Sequence, residues 1–537
     1  MSAPARASHS ARAWALLGAA ILAGLSAAFA HPPFGFLPGL LGYAGLFWLV
    51  DHAAPPRALR SAFFRGWLAG LAYFSICTWW IADAFFVDAK DQAWMAPFAV
   101  VLMAGGLALF WAFGALIYRL AAPVGPWRVL VFAGALAGAE WLRGHVLSGF
   151  PWDLPGETWR AGSAPSQAAS VVGAYGLTWI TLAIAAAPGL GWKGRGAQVT
   201  IAAAVVALGG LYAAGTWRLA HAVTASAPGA PLVRIVQPDT PERPDYDTAA
   251  FADVVHRNLD LTKKAAARTP DIVIWSEAGL PAALEDYLAP GTWTRAAIVA
   301  ALKPGQILIT GGYREDDPAP GQTGPIYRNS LIVLRLTPQG LAPIAAYDKF
   351  KLVPFGEYMP RWLKPFGVQE LIHVADGFTP GPRPRPLAPA GVPPLQPLIC
   401  YESLFPGFTS EGAAASGVRP AWIVNISDDA WFGATSGPWQ HLNLASYRAI
   451  EEGLPMVRAT PTGVSAVVDA YGRVIPGKLL GEGAYGAIDA VLPPALAPTP
   501  FDRLGRWSFA GLLALSVLLA ASGWRATSRR NGKAPQV

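Results

Sequence analysis

The stretch LICYES, Leu398 to Ser403, carries one of only two cysteines in this chain of 537 residues. Pro397-Leu398-Ile399 reads as the end of a short buried strand, and Tyr401-Glu402-Ser403 as the turn leaving it. A cysteine at such a junction can serve as a nucleophile, because the turn exposes the sulfur and can leave the next backbone N–H unpaired. The bland alternative is a buried, inert thiol, the commoner state of a free cysteine. The sequence around it weighs between the two.

Working outward, apolar runs of strand length recur from about residue 231, bounded by Pro, Gly and Asp. They are LVRIVQ (232–237), DIVIWSE (271–277), QILITGGY (306–313), NSLIVLRL (329–336), PLICYE (397–402) and AWIVNIS (421–427). Helix-length stretches such as 248–268 and 438–453 lie between several of them. Near-continuous β-branched runs interleaved with helices imply an α/β layered domain with covered strands. Residues 221–505 are ample for one such domain with a sizeable core.

Three ionisable side chains end up at strand-to-turn junctions: Glu277 after DIVIWS, Lys349 within YDKFKLVPFGEYMP (347–360), and Cys400. Together they would make a chemical set. A thiol is mostly protonated near neutral pH, so it needs a base or a positive charge beside it. Glu277 would take its proton, and Lys349 would stabilise the oxyanion formed when a carbonyl is attacked. The competing reading is that charged residues at strand ends are simply solvated.

The rest of the chain has a different character. Hydrophobic residues make up 53% and charged residues 14%, against about 25% charged in an ordinary soluble chain. Apolar spans are expected near 13–30, 36–50, 62–86, 94–118, 127–143, 170–189 and 198–216, with an eighth at 507–524. The expected organisation is a seven-span membrane domain (1–220), an outer domain (221–505), and a last span with a basic tail (506–537). Ala28-Phe29-Ala30 also fits a signal-peptidase site, which leaves trimming of the first span open.

Arg6, Arg12, Arg57, Arg60, Arg65, Arg119, Arg128, Lys193, Arg195, Arg525, Arg529, Arg530 and Lys533 fall on one side of these spans. Only Lys90, Arg143 and Arg160 fall in the short loops of the other side. Positive-inside counting puts both termini in the cytoplasm and residues 217–506 outside. Span-end placement also accounts for much of the net charge of +7 without nucleic acid. Asp83, Glu140, Arg143, Asp153 and Glu157 lie in or beside the spans, either as a polar seam for a headgroup or as ion pairs between helices. Glu140 and Arg143, three apart on a helix, can face each other.

The motifs WSEAGLP (275–281), YDKFKLVPFGEYMP and LICYES resemble the Glu-Lys-Cys triad of the nitrilase superfamily. With seven expected spans before that domain and one after it, the resemblance narrows to the apolipoprotein N-acyltransferase family. The segment from Asn425 to Val474 resembles that family's C-terminal signature, and HPPFGFLPG (31–39) and EWLRG (140–144) are the best local matches in the spans. The resemblance implies an eight-span helical membrane domain joined to a nitrilase-like α-β-β-α sandwich. It implies Glu277 as general base, Lys349 as oxyanion stabiliser and Cys400 as acyl-carrying nucleophile. It further implies that Glu357 orients the lysine, that Tyr401 lends its N–H to the oxyanion, and that Glu402 supports the site.

By the same resemblance the donor is a membrane phospholipid and the acceptor a diacylglyceryl apolipoprotein. No cofactor, metal or nucleic acid is implied, and a monomer in the bacterial inner membrane, with its site facing the periplasm, is expected. Asp428 and Pro461 stand where asparagines are expected, Ser446 where an arginine is, and Tyr246 where some members carry tryptophan near the acyl path. Those departures bear on substrate packing, since none touches the triad.

Residues 358–382 carry large apolar groups, among them Trp362 and Phe366, beside Arg361 and Lys364. They read as a membrane-surface arm gating lipid entry, with Tyr246 near it, or as an excursion packed on the domain itself. A papain-type pairing of Cys400 with His441 or His373 lacks the matching acid or amide context. Asn425-Ile426-Ser427 fits a glycosylation sequon but reads better as strand-end support. Two rival functions share parts of this pattern: a membrane-tethered amidase for a small soluble amide, and a transporter or receptor with a degenerate outer domain.

Overall fold

The computed structural model describes residues 4–243, 246–318, 325–360 and 377–531. The chain divides into two compact units. One comprises Met1–Ala82, Trp94–His221 and Arg503–Val537; the other comprises Asp83–Ala93 and Ala222–Asp502.

The first unit is helical. Among the described residues, four unbroken helices are long and apolar enough to cross a membrane: Ala11–Phe29, Ala89–Ala121, Pro165–Leu190 and Arg195–Ala220. Leu37–Asp51 and Trp507–Ser522 are apolar but shorter, and Arg128–Arg143 has 16 residues. The stretch expected as one span at 62–86 is a bent pair, the helix Ala58–Cys77 followed at 48° by the 3-10 helix Trp79–Phe86, and together the two are long and apolar enough for one broken span. At the break, Thr78 Oγ1 donates back to the Phe74 carbonyl at 2.8 Å and Trp80 Nε1 donates to the Cys77 carbonyl at 2.9 Å. Both carbonyls are thereby satisfied without helix continuing.

Small residues let the helices approach closely, as packing between apolar helices requires. A Cβ at Gly66 would lie 2.7 Å from that of Ala115, so the helices Ala58–Cys77 and Ala96–Ala121 touch through backbone. Of the two readings of Glu140 and Arg143, the ion pair is what forms. Arg143 Nε donates to Glu140 Oε2 at 2.8 Å, Trp111 donates to the same carboxylate, and the guanidinium lies 4.9 Å over the Phe74 ring. Glu157 caps its own turn, accepting from Leu154 N at 3.0 Å.

The second unit is built from two sheets. The first has strand order β11-β1-β2-β3-β4-β5 and the second β10-β9-β8-β7-β6. Their ranges are β1 Leu232–Gln237, β2 Ile272–Ile274, β3 Ile307–Asp316, β4 Ile326–Thr337, β5 Gly340–Asp348 and β6 Leu395–Ile399. The remainder are β7 Trp422–Ile426, β8 Met456–Ala459, β9 Ser465–Val468, β10 Val474–Leu480 and β11 Gly486–Val491. Strands β1-β2-β3 and β6-β7-β8 run parallel, and the outer strands antiparallel.

Alternation along each strand sorts the core into layers. Val233, Ile235, Ile274 and Ile309 of the first sheet share one apolar cluster with Leu395, Val424, Ile426 and Val457 of the second, so the sheets pack face to face. The opposite face of the first sheet presents Val236, Val273 and Leu308 to Phe251, Val255 and Ile298, on the helices Thr248–Lys263 and Trp293–Ala301. The helices Phe408–Ser416 and Gly437–Glu452 accompany the second sheet, giving α-β-β-α layering. Asp83, read with the spans, groups with this unit, its carboxylate against Gly433.

Candidate active site

Parallel neighbours carry successive chain segments out of a sheet at the same edge, so residues just past β2, β6 and β7 are natural site positions. Glu277 follows β2, and Cys400 and Asp428 follow β6 and β7. Lys349 follows β5, and its N–H donates to the Asn329 carbonyl across the β4–β5 ladder at 2.8 Å. The Glu277 turn sits hard against β3. A Cβ at Gly311 would lie 2.2 Å from the Glu277 carbonyl oxygen, so only glycine permits that approach.

Glu277 and Lys349 meet. Lys349 Nζ donates to Glu277 Oε1 and to Glu357 Oε1, each at 2.9 Å. Asn329 Nδ2 donates to the same two oxygens at 2.6 and 2.7 Å. The other oxygen of each carboxylate is held by backbone: Glu277 Oε2 by Asp428 N at 2.9 Å, Glu357 Oε2 by Val353 N at 2.7 Å. Burial by itself would lower the Lys349 pKa, but the two carboxylates and Cys400 hold it well above its ordinary value. A buried ammonium between two carboxylates is therefore a fixed positive charge.

Cys400 opens the 3-10 turn Cys400–Leu404 in a left-handed conformation, φ 48°, unusual for a residue with a Cβ. Glu402 fixes this turn to the lysine's segment. Its Oε2 accepts from Ile399 N at 2.9 Å, and its Oε1 accepts from Tyr347 Oη at 2.8 Å and Phe350 N at 2.7 Å. Burial pushes the Glu402 carboxyl up to about 7, against the pull of those donors. Tyr401 is buried, its ring 5.2 Å from that of Phe405.

The thiol of Cys400 feels both charges. Burial and then the Glu277 carboxylate push it well above its ordinary pKa, while Lys349 and a hydrogen bond with Ser427 pull the other way. At rest the sulfur keeps its proton. Of the two carboxylates whose charge reaches the thiol, Glu277 acts more strongly than Asp429.

His441 meets Cys400 at its backbone: Nε2 lies 3.3 Å from the Cys400 carbonyl oxygen and 3.0 Å from Ser403 Oγ. Behind it, Nδ1 is 3.0 Å from Asp429 Oδ1, and Arg458 Nη2 donates to Asp429 Oδ2 at 2.7 Å. Burial would raise the Asp429 pKa, yet Arg458 and His441 bring it down to about 2. A depressed carboxyl stabilises the fold above its unfolded range, near pH 4, and loses that contribution as pH falls toward its folded value. Thermal unfolding measured from pH 5 to 2 should therefore show an acid limb from Asp429. In Asp429→Asn that limb should be missing, and the stranded Arg458 should cost about 3–5 kcal/mol. An unchanged pH dependence in the variant would contradict this.

Other marked residues fall as follows. Asn425 is strand-end support, fully buried with Nδ2 donating to the Leu398 carbonyl at 2.8 Å. Ser446 Oγ donates to its own helix at Leu442 O, 2.7 Å, and the Pro461 carbonyl accepts from Thr240 N at 3.3 Å. Tyr246 is partly buried, and burial, then the nearby Glu242 and Asp428 carboxyls, raise its pKa. Trp362, Phe366 and His373 lie outside the described residues. Asn329 and Glu242 were not singled out in sequence. Asn329 opens an otherwise apolar strand run, the one local hint it offered.

Comparison with known proteins bears on both units. The family model described as apolipoprotein N-acyltransferase N-terminal domain matches residues 23–187, and that described as carbon-nitrogen hydrolase matches residues 232–496. An apolipoprotein N-acyltransferase of Caulobacter vibrioides is 54% identical over 513 residues, covering 95% of each chain. One of Brucella melitensis is 37% identical over 533 residues, covering 96% of this chain and 97% of its own. A solved amidase from Nesterenkonia sp. is similar at 18% identity and a TM-score of 0.34, over 54% of this chain and 98% of its own.

Proposed function

The chain belongs to the apolipoprotein N-acyltransferase family, and on that footing we propose that it moves an acyl chain from a membrane phospholipid to the α-amino group of a diacylglyceryl-cysteine on an apolipoprotein. The observation that carries the reading is Lys349 Nζ held 2.9 Å from Glu277 and from Glu357, with the Cys400 thiol in the field of that cluster.

In the first half-reaction Cys400 Sγ attacks the ester carbonyl while its proton passes to Glu277. Lys349 faces the oxygen that gains charge, joined by the backbone N–H of Tyr401. As the tetrahedral centre collapses, the ester oxygen takes the proton from Glu277 and leaves as a lysophospholipid. In the second half the free amine attacks the thioester, Glu277 takes a proton from the nitrogen and returns it to the Cys400 sulfur as the C–S bond breaks, and Cys400 leaves as the thiol. Dividing ester-to-amide transfer at a thioester replaces one difficult step by two easier ones. None of these steps calls on a metal or a dissociable cofactor.

An amidase for small soluble amides would use the same triad, but apolar helices matched by the membrane-domain family model do not favour it. The deciding experiment is incubation of the purified protein with labelled phospholipid and then with a diacylglyceryl-cysteine peptide. An acyl adduct that forms and then moves to the peptide amine supports the reading; ammonia release from small amides without adduct formation overturns it.

The proposal also includes eight spans, a monomer, and a site on the periplasmic side of the inner membrane. Basic residues at one set of span ends support the orientation. A reporter active only in the periplasm should work when fused after residue 300 and stay silent after residue 535. The reverse pattern would remove the site from exported lipoproteins.

A further inference from the structure

Two carboxyls stand beside the base without a part in the steps above. The segment after β1 is pinned over the second sheet: Thr240 N donates to the Pro461 carbonyl at 3.3 Å, and Thr462 Oγ1 donates to Asp239 Oδ1 at 3.1 Å. This brings the side chain of Glu242 into hydrogen-bond contact with that of Asp428. Asp428 in turn donates its backbone N–H to Glu277 Oε2 at 2.9 Å, while its Oδ1 accepts from Ala430 N at 3.1 Å.

Two carboxyls can share a hydrogen bond only if one of them carries a proton. Among the described residues, the Glu277 carboxylate acts on both members of this pair, Arg243 gives Glu242 its backbone N–H, and the Tyr246 hydroxyl lies within reach of both carboxyls. Lys349 already serves Glu277 and Glu357, and Asp429 is paired with Arg458. Lys349 and Arg458 are thus committed elsewhere.

We propose that Glu242 and Asp428 are positioning residues, an acid pair that holds a proton against the base and adjusts the base's strength as that proton comes and goes. The inference rests on Glu277 being the base. During attack by Cys400, negative charge moves from Glu277 to the oxygen beside Lys349. The pair touches Glu277 through Asp428, so a negative charge on the pair favours that movement. Burial raises the Glu242 carboxyl to about 7 and the Asp428 carboxyl well above its ordinary range, so the change falls near neutral pH. Two ionisations of such a pair belong to the pair and not to either residue.

The test is acyl loading from phospholipid without acceptor, followed by intact mass from pH 5.5 to 8.5. Omitting the acceptor removes the ionisation of its α-amino group, which lies near 8. The wild-type rate should rise through pH 7 by roughly tenfold, the effect of one nearby charge at an intermediate dielectric. Glu242→Gln removes the ionising carboxyl and should flatten that rise near the low-pH rate, whereas Asp428→Asn, whose amide can donate to Glu242 and keep it ionised, should flatten it near the high-pH rate. Alkylation of Cys400 by a small thiol reagent, mapped by mass, should follow the same two profiles. If wild type loads no acyl group, the functional reading fails, and alkylation still reports on the pair. If both variants keep the wild-type rise, or lose rate equally at every pH, the pair is merely structural and the inference is overturned.

Discussion

Cys400→Ala should carry no acyl group after incubation with phospholipid, whatever the lipid or the time allowed. The variant lacks the only atom proposed to form the thioester, so the expected loss is complete, not partial. The folded protein should survive the change, because Cys400 sits at a strand end and its turn is held by Glu402 and His441. Wild type should show an added acyl mass that hydroxylamine removes, as a thioester requires. Cys77→Ala is the matched control: that thiol is buried in the other unit, at the end of the helix Ala58–Cys77. An adduct persisting in Cys400→Ala, or vanishing in Cys77→Ala, would place the nucleophile elsewhere.

Glu277→Gln should load slowly, by ~100- to 10,000-fold, the range that a positioned general base supplies. The amide keeps the size, and its single carbonyl oxygen can still accept from Asn329 and Lys349 or from the Asp428 N–H but not from both sides, and it cannot take the thiol's proton. Because burial keeps Cys400 protonated at rest, no standing thiolate is available to bypass the base. Lys349 retains Glu357 as a charged partner at 2.9 Å, so the ammonium should stay in place. The measurement is the rate of acyl mass gain in single turnover, with circular dichroism to show the fold intact. Loading at the wild-type rate would exclude Glu277 as the base.

Much of this protein was readable along the chain because the signals are local. A short apolar run followed by a turn announces a strand end, and it marked Glu277, Lys349 and Cys400 from their neighbours alone. Apolar length announced the membrane helices in the same way. It does not report the break within 62–86, where composition stays apolar but Thr78 takes the Phe74 carbonyl and the axis bends by 48°.

What only the tertiary structure decided is which of these junctions share hydrogen bonds. Asn329 reaches Glu277 across 52 positions, Lys349 reaches it across 72, and the Asp428 N–H across 151. Glu402 ties the Cys400 turn to a strand 55 positions earlier. Hydrogen bonds act over about 3 Å of space, while the sequence records only distance along the chain. The charges of the site were therefore legible as residue types, and the bridging Asn329, the left-handed Cys400 and the acid pair of Glu242 with Asp428 became visible only once the two sheets had brought their ends together.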